Sequence, residues 1–246
     1  MSVRSFGLAA LAISSATVLA PASARATLII NEVVVNEVGS DVTGEWIEIY
    51  NKGDTTIDLS NYKIGDEETS GGTGTTEALH QFPSGASIAP GEIQIIAVSA
   101  TRFFTLYNVN PTYEASATDA AVPDMTIYST WDSDGGAFNM ANTNDQAVLL
   151  DGSDLIIDAA SWGTSTFAFD PPLGAALDGQ SYERINVNVD TNTADDWQAT
   201  PGDTAAARST PFAVQVPEPG AIGLLAGAAL LALGRGRRRR GRRVTR

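Results

Sequence analysis

The chain has 246 residues, a formal net charge of −14, a single histidine and no cysteine. Without cysteine there can be no disulfides, thiol nucleophiles, iron–sulfur clusters or cysteine-containing zinc sites, and the single His80 excludes multi-histidine metal centres. With 43% hydrophobic residues the chain can bury a core, and its length suits one domain of ordinary size between two terminal segments.

Charge divides the chain into blocks. All 29 acidic residues lie between Glu32 and Glu218, where five basic residues accompany them, so this stretch carries a net charge of −24. The chain after Pro219 has eight arginines and no acidic residue. A change of this size indicates physically separate segments. The acidic stretch argues against nucleic-acid binding, because contacts with phosphate need cations.

Residues 1–26 have the pattern of an export signal. Arg4 supplies a positive start, an apolar run covers residues 6–20, and Ala24-Arg25-Ala26 fits the small-residue cleavage pattern. We expect cleavage before Thr27, with Ala22-Ser23-Ala24 as the second choice. The chain is therefore predicted to be exported.

The body, residues 27–211, is predicted to consist of short β-strands. Apolar runs rich in Ile, Val and aromatic residues alternate with clusters of Gly, Asn, Asp, Ser and Pro. The predicted strands are 28–35, 46–50, 57–64, 93–98, 147–150 and 155–159. Residues 151–154 predict a hairpin turn, and residues 100–108 predict one or two helical turns. Residues 70–76 indicate a flexible loop, and residues 110–144 an insertion or a functional loop.

A series of short motifs along the body resembles the lamin tail domain. The matching stretches are 29–33, 45–51, 57–62, 88–92, 147–151, 157–158, 181–184, 196–197 and 200–202. The spacing between Asn31-Glu32 and the Glu-Trp-Ile-Glu segment that starts at Glu45 is the most specific of these features. The resemblance implies an all-β, immunoglobulin-like β-sandwich, here with a long insertion, and no shared catalytic residues. We expect Trp46 and Trp162 in or beside the core.

Carboxylates are the one abundant kind of catalytic group in the body. The sequence has no G-x-S-x-G, H-E-x-x-H or P-loop motif, and His80 is more typical of a surface or half-buried structural residue than of a catalytic triad. Glu32, Glu45 and Glu48 occupy strand positions that can become neighbours, and a carboxylate pair can perform acid–base chemistry, as in glycoside hydrolysis. Glu45 and Glu48 are an odd number apart and face opposite sides of a regular strand. We expect solvated acids and one structural pair. In the lamin-tail pattern, Glu32 and Glu48 would stabilise one end of the sandwich through backbone hydrogen bonds.

Two acidic segments partly resemble calcium-binding loops. Their candidate ligands are Asp132 and Asp134 in the first, and Asp190, Asn192 and Asp195 in the second. Neither segment supplies the bidentate glutamate of an EF-hand, since position twelve is Thr143 or Pro201. An ordinary Asx turn is the favoured interpretation. The expected cofactor is therefore none, with loosely bound calcium as the alternative.

The end of the chain is predicted to contain a linker (212–219), an apolar helix (220–234) and an arginine-rich tail (235–246). The uncharged run at 221–233 gives a helix about 20 Å long, shorter than the roughly 30 Å hydrocarbon core, so it is a weak anchor with the arginines on the cytoplasmic side. Val216-Pro217-Glu218-Pro219, this short transmembrane helix and the arginines together resemble a PEP-CTERM sorting signal. That resemblance implies cleavage by an exosortase-type membrane protease; a plain anchor is the alternative.

Together these features predict a non-catalytic module that is exported, transiently anchored in the inner membrane, and then located at the cell surface or in the extracellular matrix. As the PEP-CTERM resemblance implies, its partner would be an exopolysaccharide or another envelope protein, and not a nucleic acid.

The alternative is a secreted, carboxylate-based hydrolase acting on glycans. An enzyme would show a cleft with two close, desolvated carboxylates. A binding module would show a flat aromatic surface near Trp131 or Phe138, although both residues are more typical of the core of the insertion.

Overall fold

Short strands account for most of the regular structure. The computed structural model describes residues 27–39, 41–67, 77–131, 136–201 and 209–214. The strands in these ranges are β1 (Leu28–Asn36), β2 (Trp46–Asn51), β3 (Ile57–Asp58), β4 (Lys63–Gly65), β5 (Leu79–Gln81), β6 (Ser87–Ile88), β7 (Ile93–Ala97), β8 (Tyr113–Glu114), β9 (Thr126–Ile127), β10 (Asp145–Leu150), β11 (Ile156–Trp162), β12 (Gln180–Arg184) and β13 (Trp197–Ala199). The helices are α1 (Asp41–Gly44) and α2 (Ala100–Tyr107), and Ala194–Asp196 form a 3₁₀ turn.

Two large sheets organise these strands. One has six strands in the order β13-β12-β1-β2-β7-β8, and the other has five in the order β11-β10-β4-β5-β9. A small ribbon pairs β3 with β6. The ladder between β7 and β8 is parallel, and the other ladders between named strands are antiparallel.

The main core lies between the two sheets. Alternate residues of the six-stranded sheet, among them Val33, Ile47 and Ile96, pack in one cluster with Leu149 and Trp162 of the five-stranded sheet. Because side chains alternate along a strand, one face of each sheet packs into this core. The chain folds as an immunoglobulin-like β-sandwich, so the predicted fold class is confirmed.

A bulge in β1 decides which of its residues enter the core. Ile30 lies opposite Ile49 and Glu32 opposite Glu48, which leaves Asn31 as the extra residue. Without the bulge, Glu32 would continue the inward series of Leu28 and Ile30. With it, the inward series continues at Val33, and Glu32 faces outward on the side away from the second sheet.

The outer face of the six-stranded sheet is partly covered by α2. Trp46 packs there against Val34, Ile95 and Phe103, in a cluster separate from the main core. Ser99 caps the helix, since its hydroxyl accepts a hydrogen bond from the Arg102 amide. The predicted helix is confirmed. Trp46 and Trp162 are both fully buried, as expected.

Several predicted elements differ in extent from the observed ones. The run 57–64 is interrupted by a turn in which the Tyr62 amide donates to the Leu59 carbonyl, so it forms β3 and β4 instead of one strand. The hairpin at 151–154 is confirmed by a hydrogen bond from the Asp151 amide to the Leu155 carbonyl at 2.9 Å. The insertion contains β8 and β9 and contributes buried side chains. The predicted loop at 70–76 lies outside the described residues.

Candidate functional site

Three glutamates stand side by side on the outer face of the six-stranded sheet. Glu48 of β2 lies opposite Glu32 of β1, and Glu32 lies opposite Glu183 of β12. Residues paired in this way have Cβ atoms about 5 Å apart. Glu32 and Glu48 are 0% exposed and Glu183 is 8% exposed. We call these three residues the carboxylate row.

Residues 209–214 cross the carboxylate row, and we call this segment the C-terminal strap. The Thr210 amide donates to Glu32 Oε1 at 3.1 Å, and the Thr210 hydroxyl donates to Glu183 Oε2 at 3.1 Å. The Phe212 amide donates to Glu48 Oε2 at 2.6 Å. Each glutamate of the row therefore accepts a hydrogen bond from the strap.

The sheet supplies a second set of donors to the same carboxylates. The Ser181 hydroxyl donates to Glu32 Oε1 and the Asn31 amide nitrogen donates to Glu48 Oε1, each at 2.6 Å. Asn31 Nδ2 also donates to the Ala213 carbonyl at 2.9 Å, so the bulged residue joins the row to the strap. The bulge makes this contact possible, because it places Asn31 and Glu32 on the same face.

Tyr107, the last residue of α2, fastens the beginning of the strap. Its hydroxyl lies 2.5 Å from the Ser209 hydroxyl, donates to Glu37 Oε2 at 2.8 Å and accepts from the Trp46 indole at 3.2 Å. The strap and α2 therefore adjoin each other on the outer face of the sheet.

Two glutamates of the row, Glu32 and Glu48, titrate near neutral pH. Burial, the largest cause, raises the pKa of Glu32 to about 7 and that of Glu48 to about 8. Hydrogen bonds from Ser181 and Thr210 to Glu32, and from Asn31 and Phe212 to Glu48, work in the opposite direction. Repulsion from neighbouring carboxylates adds to the rise. These two groups thus change charge near physiological pH, unlike ordinary glutamates.

Glu32 and Glu48 fit the one structural pair that was expected and not the solvated acids expected beside it. Glu32 and Glu48 do become neighbours, and they are desolvated, but the strap lies over them where a substrate would have to bind. Glu45 points elsewhere, since its Oε2 accepts from the Met140 amide at 2.8 Å. The backbone hydrogen bonds to Glu32 and Glu48 agree with the structural role that the lamin-tail resemblance implies.

A second group of buried carboxylates holds the insertion. The three consecutive amides of residues 139–141 donate to Asp66, Glu45 and Asp145, at 2.8, 2.8 and 2.5 Å respectively. Burial raises the pKa of Asp66 well above its ordinary value. Each carboxylate accepts a main-chain donor, so the group anchors a loop.

The aromatic and histidine candidates are core residues. Phe138 is 0% exposed and Trp131 is 9% exposed, so the flat aromatic surface considered for a binding module is absent at these two residues. His80 lies edge-on to Phe138, with ring centroids 5.9 Å apart, and is fully buried instead of lying at or near the surface. Its place in β5, between β4 and β9, explains the burial.

Asp190, one calcium candidate, is engaged by cations of the chain itself. Its carboxylate lies 3.4 Å from Arg184 and 3.9 Å from Lys52. Asn192 and Asp195 are exposed, and Asp132 and Asp134 lie outside the described residues. Within the described ranges, no three or more His, Cys, Asp or Glu side chains are grouped as a metal site.

A buried ion pair links the two sheets near this loop. Arg184 Nη2 donates to both carboxylate oxygens of Asp158 at 2.7 Å, and Arg184 Nε donates to the Ile30 carbonyl at 2.7 Å. The guanidinium also lies 4.5 Å from the centre of the Trp197 ring. With side-chain exposures of 1% and 2%, this pair is a structural feature of the sandwich.

The processing candidates are beyond the described part of the chain. Residues 1–26, with Ala24 and Ala26, and residues 215–246, with Val216-Pro217-Glu218-Pro219, lie outside the described residues. Among the described helices, none has the length and apolar character needed to span a bilayer.

Sequence reasoning missed Glu183, Tyr107 and the strap as parts of this site. Ser181-Tyr182-Glu183 carries a usable signal, because a core aromatic flanked by two polar residues indicates a strand with one outward polar face. The strap has no such signal. Its contacts with Glu32 and Glu48 join residues separated by well over a hundred positions in sequence.

Comparison with known proteins identifies the family. A model of the lamin tail domain matches residues 21–164, more than half of the chain. Among solved structures, a DUF4876 family protein from Bacteroides thetaiotaomicron VPI-5482 is 14% identical, with a TM-score of 0.49 over 77% of this chain and 75% of that one. No curated protein matches. Because the family model matches more than half of the chain, the chain belongs to the lamin tail domain family.

Proposed function

We propose that this lamin tail domain protein is an exported, non-catalytic module of the cell envelope or extracellular matrix, which binds polysaccharide or another envelope protein. The observation that carries the proposal is the covered carboxylate row. The best candidates for acid–base catalysis, Glu32 and Glu48, are fully buried and hydrogen-bonded to the strap.

The geometry of the row argues against a hydrolase. In a glycosidase, two carboxylates flank the scissile bond and both must reach the sugar. Here Glu32 faces Ser181 and Thr210, and both oxygens of Glu48 accept protein hydrogen bonds. A glycan could reach this pair only if the strap moved away. The hydrolase acting on glycans remains the alternative function, because two desolvated carboxylates with raised pKa values are also what acid–base catalysis needs.

The C-terminal signal supports the proposed destination. We propose that an exosortase-type protease cuts near Val216-Pro217-Glu218-Pro219, after transient anchoring of the protein in the inner membrane through residues 220–234. The two prolines disfavour a helix at this point and leave an extended backbone that a protease can bind. Release would then deliver the domain to the cell surface or the matrix.

The charge of the domain disfavours a polyanionic partner unless divalent cations bridge the two. The net charge of −24 on the acidic stretch repels anionic polysaccharide and nucleic acid, so an acidic polysaccharide needs a bridging divalent cation. A neutral sugar or a protein instead needs exposed apolar side chains. Ile156 and Phe167 are exposed and line a pocket of about 200 Å³ beside β11, and they offer such a surface.

Intact mass spectrometry of the protein from its own cells tests the proposal. We expect a mass that corresponds to loss of residues 1–26 and of the segment after the PEP motif. Glu218→Gln should leave the C-terminal segment attached and the protein in the membrane fraction, whereas Glu92→Gln should be processed normally. An unprocessed C-terminus in the native host would favour simple anchoring. Glycan hydrolysis by the purified protein that disappears in Glu32→Gln would favour the alternative.

A further inference from the structure

The strap lies immediately before the predicted sorting motif. Its last described residue is Val214, and the motif begins at Val216. The hydrogen bonds at Thr210, Phe212 and Ala213 therefore hold on the sheet the last described residues before the motif.

The contacts that hold the strap are polar, and two of its amides donate to the buried acids Glu32 and Glu48. The strap itself, Ser-Thr-Pro-Phe-Ala-Val, has no charged side chain. Phe212 is 38% exposed, so the strap is not held by burial of its aromatic residue. Among the described residues, ion pairs to Glu32 and Glu48 are absent. The buried Oδ1 atom of Asn31, beside Glu48, has no hydrogen-bond partner in the same ranges and can accept a hydrogen bond from a protonated carboxyl group.

We propose that the strap is a latch, which is closed while Glu32 and Glu48 hold protons and opens when both are ionised, so that pH controls whether the residues directly before the sorting motif stay on the sheet. The latch itself follows from the contacts described above. Its consequence for sorting rests on the proposed function.

The strap opens as the pH rises, and not as it falls, because burial is what keeps Glu32 and Glu48 protonated. Burial outweighs the strap's hydrogen bonds in setting the pKa of Glu32 and of Glu48. Opening admits water to the outer face of the sheet, which lowers both values. The closed form therefore binds more protons than the open form, and raising the pH favours opening. Two ionised carboxylates on neighbouring strands also repel each other, which acts in the same direction.

Other charged or titratable groups adjoin the latch. Glu183 of β12 belongs to the row, and Glu37, after β1, is contacted by Tyr107 of α2. Burial raises the pKa of Glu37, and the Arg102 guanidinium opposes that rise. Asp203 and Arg208, in the connection from β13 to the strap, lie outside the described residues. Of the described residues that contact the strap, Glu32 and Glu48 have a pKa that burial raises to near neutrality.

Hydrogen–deuterium exchange of the purified full chain tests the latch. The amides of Thr210 and Phe212 report it directly, after correction for the intrinsic pH dependence of exchange. We expect both to be protected at about pH 6 and their protection to fall at least about tenfold by about pH 9, since each titrating group contributes up to tenfold per pH unit. Amides of β1 and β2 should remain protected over this range. Equal protection of the strap at both pH values would overturn the proposal.

Three variants sharpen the test. Glu48→Gln removes one of the two charges, so the strap should stay protected to higher pH. Thr210→Val removes the hydroxyl donor, and it should lower strap protection at every pH while leaving the sheet intact, because Thr210 is not part of the core. Glu92→Gln, a control in the turn before β7, should match the wild type. Unchanged strap protection in Thr210→Val, or an unchanged pH profile in Glu48→Gln, would overturn the latch.

The exchange experiment needs no protease, so it separates the latch from sorting. A pH-dependent strap in a protein that its host never cleaves would leave the latch standing and reject the sorting proposal. Normal cleavage with a strap that does not respond to pH would reject the latch alone.

Discussion

At the residue scale, Glu32 and Glu48 set the pH dependence of stability. Unfolding returns both side chains to water, where their pKa falls to the ordinary value of 4.5 from about 7 and about 8. Between these limits the native state binds more protons than the unfolded state. The stabilisation is therefore complete below about pH 4.5 and is lost as the pH rises through 7 and 8.

We predict that the free energy of unfolding falls by about 6 kcal/mol between about pH 5 and about pH 9 through these two groups. Urea unfolding at a series of pH values measures this change. In Glu48→Gln the fall should be smaller, because one of the two titrating groups is gone. A variant with the same slope as the wild type would mean that other groups dominate.

A second prediction concerns Arg184. Arg184→Met leaves the buried Asp158 carboxylate and the Ile30 carbonyl without their partner, and we expect a loss of about 3–5 kcal/mol in unfolding free energy. Adding Asp158→Asn should restore part of this loss, because the neutral amide oxygen can still accept from the Ile30 amide. Chemical denaturation of the two single variants and the double variant forms the cycle. A loss below about 1 kcal/mol for Arg184→Met would contradict the argument.

At the element scale, the end of β11 depends on a close backbone approach. Gly163 follows β11 with φ of +69°, and its amide donates to the Leu173 carbonyl at 2.8 Å. A Cβ atom at this position would lie 1.7 Å from the Thr143 carbonyl oxygen. This glycine is therefore required both by its left-handed conformation and by lack of space.

Comparing Gly163→Ala with Gly85→Ala separates these two requirements. Gly85 has φ of +83° and open space where a Cβ atom would lie, so its substitution should cost only the left-handed strain, about 1–2 kcal/mol. Gly163→Ala should cost about 3 kcal/mol or more, because the Thr143 backbone must move as well. Thermal unfolding of both variants gives the comparison. Equal losses would show that the overlap at Gly163 is relieved at no cost.

At the scale of the whole molecule, charge separates the domain from its tail. The stretch from Thr27 to Pro219 has five basic and 29 acidic residues, and the arginine cluster lies entirely beyond it. At physiological salt the Debye length is about 8 Å, so screening weakens distant repulsion without creating phosphate contacts.

We therefore predict that residues 27–219 do not bind duplex DNA at about 0.15 M salt in the presence of a chelator. The same chain extended through the eight arginines, held in detergent, is the matched control and should bind with a strong dependence on salt. Fluorescence anisotropy measures both. Tight binding by the shorter chain would refute the charge argument.

Local patterns were sufficient to predict the strands, the hairpin at 151–154 and helix α2, because period-two alternation, turn residues and short-range capping are properties of neighbouring residues. The Asn31-Glu32 and Glu45–Glu48 motifs also indicated the family and two of the three glutamates of the carboxylate row. The division of 57–64 into β3 and β4 was missed, since the apolar run gives no sign of the turn at Leu59.

Tertiary structure alone decided the arrangement of the site. The alternation of 28–35 is compatible with Glu32 facing either side, and only the pairing of β1 with β2 places the bulge at Asn31. Likewise, Glu183 joins Glu32 through strand order, and the strap reaches Glu32 from a distant part of the chain. Burial raises the pKa of Glu32 and Glu48. Their burial results from the assembly of sheet, helix and strap, so it cannot be deduced from a local stretch of sequence.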